Sequence, residues 1–164
     1  MARPIDHAEI KTGQLITIAM AATATVLQDP RIVVTLAALF LVTAMYRPMS
    51  PFVLAYRLVV RPLGLMRSDY RLDNTQPHTF GQYVGAITAL LAAGLVYVGL
   101  GVTGWAIVWI LLGLTFASYR GWCIGCYLYY QLNRVGLGGF FRHKPTDRTR
   151  ILGTRPETRV SPED

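Results

Sequence analysis

Charge is scarce in this sequence, and the little that is present is segregated. Only 15% of its 164 residues are Asp, Glu, Lys or Arg, whereas ordinary soluble domains carry about 25%. The ranges 12–28, 32–46 and 79–119 contain none at all. A buried helical hairpin in a soluble bundle is the alternative, but uncharged runs of this length are typical of helices that cross a membrane. The sequence therefore predicts an integral membrane protein.

The missing charges also exclude several functions. Because the apolar runs hold no carboxylate, a proton or ion pathway through the bundle is poorly supported. The net charge of +7 is not gathered on a soluble module with a basic face, which argues against a nucleic-acid partner. The N-terminal segment lacks the positive charge of a signal peptide, since Arg3 and Lys11 are balanced by Asp6 and Glu9. This balance argues against cleavage after the first apolar run.

Four apolar segments predict four transmembrane helices, at about 10–28, 31–46, 80–102 and 105–124. Pro30 separates the first two, because proline lacks an amide donor and suits the first turn of a new helix. The second segment is short against the ~20 residues that a crossing needs, so a re-entrant hairpin formed by the first two segments is an alternative. The predicted fold class is all-α, a polytopic four-transmembrane-helix bundle.

Residues 47–78 and 135–164 lie outside these helices. In the first of them, Arg57 and Arg61 share one face of a helix whose other faces are apolar. This pattern predicts an amphipathic interfacial segment between the second and third helices, with a loop collapsed on the bundle as the alternative. The final 30 residues are polar and rich in glycine, proline and arginine, which predicts a flexible tail after a membrane domain of residues 1–134.

The basic residues predict the orientation. With four crossings, 15 of the 16 Lys and Arg residues fall on the side of the two termini, and Arg31 alone falls on the other side. Basic residues accumulate in cytoplasmic loops. We therefore expect a multi-pass protein of the inner (plasma) membrane with both termini in the cytoplasm, where the 135–164 tail would also lie.

Both cysteines of the chain lie in the stretch YRGWCIGCYLYYQLNR, residues 119–134. Cys123 and Cys126 are spaced i and i+3, which in a helix brings their Cα atoms within disulfide range. Arg120 would lower the pKa of the Cys123 thiol, and a helix break at Gly121 would place that thiol at a helix N-terminus with the same effect. If the fourth helix is unbroken, the second effect is lost.

Other interpretations of the cysteine pair differ in what they require. Covalent haem attachment needs a histidine after Cys126, and Tyr127 stands there. A zinc site would have to recruit His78 and His143, so no metal and no cofactor are predicted. Two cysteines packed between membrane helices remain as plausible as a working dithiol. A cytoplasmic location disfavours a permanent disulfide, so a working pair should cycle between its redox states.

Three tyrosines follow the cysteine pair, and they admit two interpretations. Tyr127, Tyr129 and Tyr130 would serve as anchors at the membrane–water interface. Alternatively, they would form the wall of a pocket for a quinone or a lipid headgroup beside the dithiol.

Three resemblances bear on this segment. WCIGC is similar to the Trp-Cys-x-x-Cys site of thioredoxin-like proteins, although their strand-then-helix setting is absent. Residues 7–135 resemble the bacterial membrane family known as domain of unknown function 4395. The resemblance rests on RP after the second helix and on GWCIGCYLYYQL after the fourth. Members of that family often accompany thioredoxin-like and sulfurtransferase-like proteins, which implies thiol or sulfur chemistry. Vitamin K epoxide reductase-like enzymes share the four-helix architecture and the Cys-x-x-Cys pair, but their dithiol faces the oxidising side.

The sequence thus supports two hypotheses for function. In the first, the protein is a thiol-redox or sulfur-relay component with Cys123 as nucleophile, Cys126 as resolving thiol, Arg120 stabilising the thiolate and Trp122 packing beside it. Its partner would be a thioredoxin-like or sulfurtransferase-like protein that approaches the arginine-rich face. In the second, it is a non-enzymatic accessory subunit of a larger membrane complex, and the cysteines only pack.

Overall fold

A computed structural model describes residues 3–135, 152–156 and 159–160 of the chain. Nearly all of the regular structure is helical, as predicted. The elements in chain order are β1 (Arg3–Asp6), α1 (His7–Leu27), α2 (Pro30–Met45), a 3₁₀ turn (Arg47–Met49), α3 (Pro51–Ala55) continued by a π-helical turn (Tyr56–Val60), β2 (Tyr70–Asp73), α4 (Thr75–Tyr97), α5 (Gly101–Arg120) and α6 (Ile124–Arg134).

Three of these helices, α1, α4 and α5, are long and apolar enough to cross a membrane. The fourth bundle helix, α2, has 16 residues. Many large apolar side chains on the outer faces of the helices are exposed, and Ile87, Trp109 and Phe116 are examples. A contiguous apolar exterior is unfavourable in water and is the expected surface of a protein surrounded by lipid.

Capping residues explain where the first two helices begin. Asp6 caps α1 by accepting a hydrogen bond from the amide of Ala8 at 2.9 Å. Asp29 caps α2 in the same way for Arg31, and Pro30 occupies the first helical position. Both arrangements satisfy amide donors that have no partner within the helix. The predicted break between the first two helices is confirmed at these residues.

The third and fourth bundle helices are displaced towards the N-terminus relative to the prediction. We expected the connection at Thr103 and Gly104, but α4 ends at Tyr97 and α5 begins at Gly101. Gly99 lies in this connection with φ of +88°, a conformation that glycine adopts without strain. Gly104 instead packs inside α5 against α4, where a β-carbon would come within 2.5 Å of Val96 Cγ2.

The small side chains of α4 allow close packing inside the chain. Ala86, Ala89 and Ala93 are buried, and the side chain of Phe40 from α2 packs over Gly85. Small residues let helix backbones approach closely where lipid provides no hydrophobic driving force.

The region between α2 and α4 is more structured than the predicted amphipathic segment. Its helical part ends at Val60, and Phe52 and Tyr56 are buried. The four-residue strand β2 pairs antiparallel with β1, so the all-α prediction misses a two-stranded sheet. The short strands are mostly polar and lack the apolar alternation by which strands are recognised in sequence.

The predicted flexible tail also differs from the structure in part. Residues 152–156 lie against the segment between α5 and α6, and the amide of Val160 donates to the carbonyl of Tyr70 at 3.1 Å. These backbone hydrogen bonds give the segment a defined position. Within the predicted tail, the ranges 136–151, 157–158 and 161–164, and with them His143, lie outside the described residues.

The contact between α4 and α6 gives a prediction about stability. A β-carbon on Gly125 would lie 2.7 Å from Gly81 Cα, which is backbone and cannot rotate away. We expect Gly125→Ala to lower the free energy of unfolding by about 1–3 kcal/mol through overpacking, measured by thermal unfolding in detergent. Gly94→Ala is the matched control, because nothing lies within 4 Å of that position. Equal stability of the two variants would contradict the close approach.

Candidate thiol site

The backbone breaks between α5 and α6 at Gly121. This residue caps α5 with φ of +115°, and the chain then turns so that Cys123 becomes the N-cap of α6. The prediction left open whether the fourth helix is broken here, and the structure shows the break. Cys123 consequently lies at a helix N-terminus, where the helix dipole favours negative charge.

The Cys123 sulfur acts as the capping group. Its Sγ accepts a hydrogen bond from the amide of Cys126 at 3.3 Å. Both thiols are free, Cys123 is partly exposed and Cys126 is buried. The i, i+3 spacing therefore places one accessible and one shielded sulfur in the first turn of the same helix.

Hydrogen bonds separate the acidities of the two thiols. A hydrogen bond from the Cys126 side chain lowers the pKa of Cys123 against the opposing effect of burial, and the charge of His78 and a hydrogen bond from Ser118 lower it further. The same contact with Cys123, together with burial, raises the pKa of Cys126. The pair thus favours a thiolate on Cys123 and a protonated thiol on Cys126.

Gln14 of α1 extends this hydrogen-bond network into the bundle. Its amide nitrogen donates to Ser118 Oγ at 2.7 Å. Ser118 in turn stabilises the Cys123 thiolate, so the first and third long helices both act on the nucleophile.

A buried carboxylate and two histidines lie beside Cys126. His78 Nε2 is 2.9 Å from Asp73 Oδ2, and its other ring nitrogen, Nδ1, is 3.8 Å from Cys126 Sγ. His7 Nε2 lies 3.2 Å from the same carboxylate oxygen. The two imidazoles belong to α1 and α4, and Asp73 ends β2. The antiparallel pairing of β1 with β2 places Asp69 beside the start of α1 and Asp73 opposite Arg3, and the His7 side chain reaches the Asp73 carboxylate.

The histidines keep Asp73 ionised. Burial would raise the pKa of Asp73, but the hydrogen bonds from His7 and His78 and from the amide of Asn74 outweigh it and hold the pKa well below its usual range. An ionised carboxylate at Nε2 favours the tautomer that carries the proton on that nitrogen. His78 Nδ1 then presents its lone pair to the Cys126 thiol.

The same three groups have donor atoms that could hold a divalent cation. The ligand atoms of His7, Asp73 and His78 all lie within 4.8 Å of one another. This set shares only His78 with the zinc site considered from the sequence, which combined Cys123 and Cys126 with His78 and His143.

A returning segment covers the site. The amide of Cys123 donates to the carbonyl of Gly153 at 2.8 Å, and the amide of Arg155 donates to the carbonyl of Gly121 at 2.9 Å. Gly153 has φ of +87°, and a β-carbon there would lie 2.8 Å from the Cys123 carbonyl oxygen. Glycine is therefore required for this close contact.

Two cavities meet the dithiol. A small one of about 70 Å³ lies between the cysteines, the two histidines and the returning segment. A larger one of about 180 Å³ extends between the bundle helices, and Cys123 lies in its wall.

The structure brings together only part of the predicted site. Cys123 and Cys126 are adjacent, and Trp122 packs near Tyr127 with ring centroids 6.0 Å apart. Tyr129 and Tyr130 are buried beside Cys126. Arg120 is exposed in the last turn of α5, and within the described part of the chain no polar contact joins it to Cys123.

Sequence reasoning missed four polar groups of the site, namely His7, Gln14, Asp73 and Ser118. Asp73 is separated from His7 by most of the first two bundle helices, so no spacing rule connects them. The uncommon residue type was an available signal, because the chain has only three histidines and two of them meet here.

Comparison with known proteins gives one match. No curated protein and no solved structure matches the chain. The family model described as Domain of unknown function (DUF4395) matches residues 5–134, which include both cysteines, His7, Asp73 and His78. The chain belongs to this family.

Proposed function

We propose that the protein is a membrane thiol-redox or sulfur-relay component in which Cys123 is the nucleophile and Cys126 the resolving thiol. The observation that carries the proposal is the position of Cys123 as the N-cap of α6, with its sulfur accepting the Cys126 amide at 3.3 Å. A thiol at a helix N-terminus that accepts an amide hydrogen bond is stabilised as the thiolate, which is the reactive form.

The proposed reaction is thiol–disulfide exchange with a thioredoxin-like partner. The Cys123 thiolate attacks one sulfur of the partner's disulfide, forms a mixed disulfide and releases the other partner sulfur as a thiolate. Cys126, once deprotonated, attacks Cys123 Sγ, which closes the Cys123–Cys126 disulfide and releases the second partner thiolate. Two electrons pass from this protein to its partner, and the reverse sequence restores the dithiol.

His78 is the proposed proton acceptor for Cys126. In the resting dithiol the Cys126 thiol donates to Cys123. Once Cys123 is in a mixed disulfide, its sulfur is a far poorer acceptor, and the thiol can turn to His78 Nδ1, 3.8 Å away. Asp73 orients the imidazole, and this arrangement of carboxylate, imidazole and nucleophile is an established means of activating a thiol.

The placement in the membrane is also a proposal. The site lies at the end of the bundle where α1 and α4 begin and α5 ends. If α2 crosses the membrane together with the three longer helices, this end is the basic side, which the positive-inside rule assigns to the cytoplasm. The short α2 would cross a locally thinned bilayer, and the 47–60 segment, with exposed Leu54, Leu58 and Val59, would lie in the interface.

We assign the remaining predicted residues to docking. Arg120 is exposed at the rim, where water screens its charge. We therefore place it in the surface that a partner protein approaches and attribute thiolate stabilisation to the helix N-terminus. Trp122 precedes the nucleophile and borders the same surface.

The pH dependence of alkylation tests the assigned roles. The lowered pKa of Cys123 means that its thiolate persists below the pH range of an ordinary thiol, and that its reactivity is lost as the pH falls through that pKa. We expect iodoacetamide to modify Cys123 before Cys126. Site-resolved mass spectrometry at a series of pH values measures the two rates.

A substitution at Ser118 sharpens this test. Ser118→Ala removes a hydroxyl that lowers the pKa of Cys123, so the Cys123 profile should move to higher pH. Thr25→Val, whose hydroxyl bonds only to the carbonyl of Ala21, should leave the profile unchanged. A wild-type Cys123 that reacts like the thiol of an unfolded peptide would refute the proposal.

A further inference from the structure

The larger cavity contains polar atoms that the protein itself does not satisfy. Gln14 Oε1, Arg47 Nη1 and Gln82 Oε1 are shielded from solvent and make no hydrogen bond with the described residues. All three residues line the 180 Å³ cavity. A buried polar atom without a partner is unfavourable, and three of them around one space are accounted for when a ligand with matching polar groups fills it.

The walls define the character of that ligand. Phe40, Phe52, Leu111 and Leu114 supply apolar surface, so most of the ligand should be apolar. The cavity is slightly larger than a cavity of about 150 Å³ that accommodates benzene. One substituted ring therefore fits.

The unsatisfied atoms define the ligand's polar groups. Arg47 Nη1 is a donor and needs an acceptor, whereas the two glutamine oxygens need donors. A quinone carbonyl supplies the acceptor, and the hydroxyls of the corresponding quinol supply the donors. The quinol therefore satisfies all three atoms and the quinone satisfies Arg47 alone, whereas an acyl chain satisfies none of them.

We propose that the cavity binds the ring of a lipid-soluble quinone, and that the Cys123–Cys126 dithiol reduces it. The position of Cys123 in the cavity wall carries the second half of this proposal, which rests on the proposed dithiol chemistry. In the reaction the Cys123 thiolate and the Cys126 thiol lose two electrons and the Cys126 proton as one S–S bond forms, and water supplies the second proton. The ring gains two electrons and two protons and leaves as the quinol. The resulting disulfide is restored to the dithiol by the thiols of the exchange partner.

Duroquinone is a suitable probe, because its four ring methyl groups disfavour direct addition of a thiol to the ring. We expect it to raise the melting temperature of purified, detergent-solubilised Cys123→Ser protein in a saturable way, since ligands that bind only the folded state stabilise it. Arg47→Met should increase the half-saturating concentration about tenfold or more, because a hydrogen bond to a charged group is lost. Arg31→Met, at the opposite end of the bundle, should have no effect.

A second variant and a second readout complete the test. Gln82→Leu keeps the side chain similar in size but removes the acceptor for a quinol hydroxyl, so it should weaken binding of durohydroquinone even if Arg47→Met does not fold. Under anaerobic conditions the reduced wild-type protein should convert one equivalent of duroquinone to durohydroquinone and form the Cys123–Cys126 disulfide. Cys123→Ser should bind duroquinone without reducing it.

Three results would overturn the inference. One is the absence of saturable binding, as expected if water alone fills the cavity. Another is binding whose affinity is unchanged by both Arg47→Met and Gln82→Leu. The third is binding of duroquinone that the wild-type dithiol does not reduce. The wild-type protein could exchange disulfides with thioredoxin and yet neither bind nor reduce duroquinone. That result would refute the quinone site and leave the proposed function intact.

Discussion

Cys126→Ser will accumulate a covalent complex when it is mixed with thioredoxin in its disulfide form. The Cys123 thiolate can still attack the partner disulfide, but no second thiol is present to release the product. The mixed disulfide should survive non-reducing electrophoresis and disappear on addition of dithiothreitol. Cys123→Ser should form no complex above background, because Cys126 is buried and its raised pKa keeps it protonated.

The pair of single-cysteine variants distinguishes the two functional hypotheses. Serine is close to cysteine in size, so both variants should fold if the cysteines act only in packing, and neither would trap a partner. Trapping by both variants to the same extent would contradict the assigned roles. Trapping by neither would favour the accessory-subunit hypothesis.

Replacement of His78 by glutamine should slow resolution of the mixed disulfide by roughly 10²–10⁴-fold, the usual contribution of general acid–base catalysis. The first attack should be slowed much less, because the Cys126 side chain is the largest influence that lowers the pKa of Cys123 and His78 supplies only part of the effect. Rapid-quench measurement of the mixed disulfide during turnover separates the two steps.

Asp73→Asn and a variant of the third histidine are needed to interpret this result. Asp73→Asn keeps the size of the side chain but removes the charge that fixes the His78 tautomer, so it should slow the same step without affecting the first. His143→Gln changes the histidine that lies beyond the residues matched by the family model, and it should leave the rates of both steps unchanged. Equal slowing of both steps would indicate a structural role. Stoichiometric bound metal that is lost in His78→Gln would instead indicate a cation site at these residues.

The sequence predicted the parts of this protein that depend on local pattern. Uncharged runs defined the helices, Asp29 and Pro30 defined the first connection, and Gly121 marked a possible break beside the cysteines. The connection near Gly99 was misplaced, because the uncharged run from 79 to 119 contains several glycines and no charge to mark a boundary.

The remainder of the site depends on contacts between distant segments. Asp73 contacts His7 from a strand that follows α1 and α2 in the sequence, and Gly153 reaches Cys123 only because the chain returns after α6. Neither contact leaves a periodic signal in the sequence. The three unsatisfied polar atoms of the cavity are likewise visible only when the four bundle helices are assembled.

The central claim is that Cys123 and Cys126 form one redox unit at the end of a membrane bundle. The most direct test is a redox titration of the purified protein against defined ratios of oxidised and reduced dithiothreitol, with the remaining thiols counted by maleimide mass addition. We expect a single two-electron transition in which both thiols disappear together and an internal disulfide forms. Two thiols that stay reduced throughout, or that are lost one at a time, would contradict it.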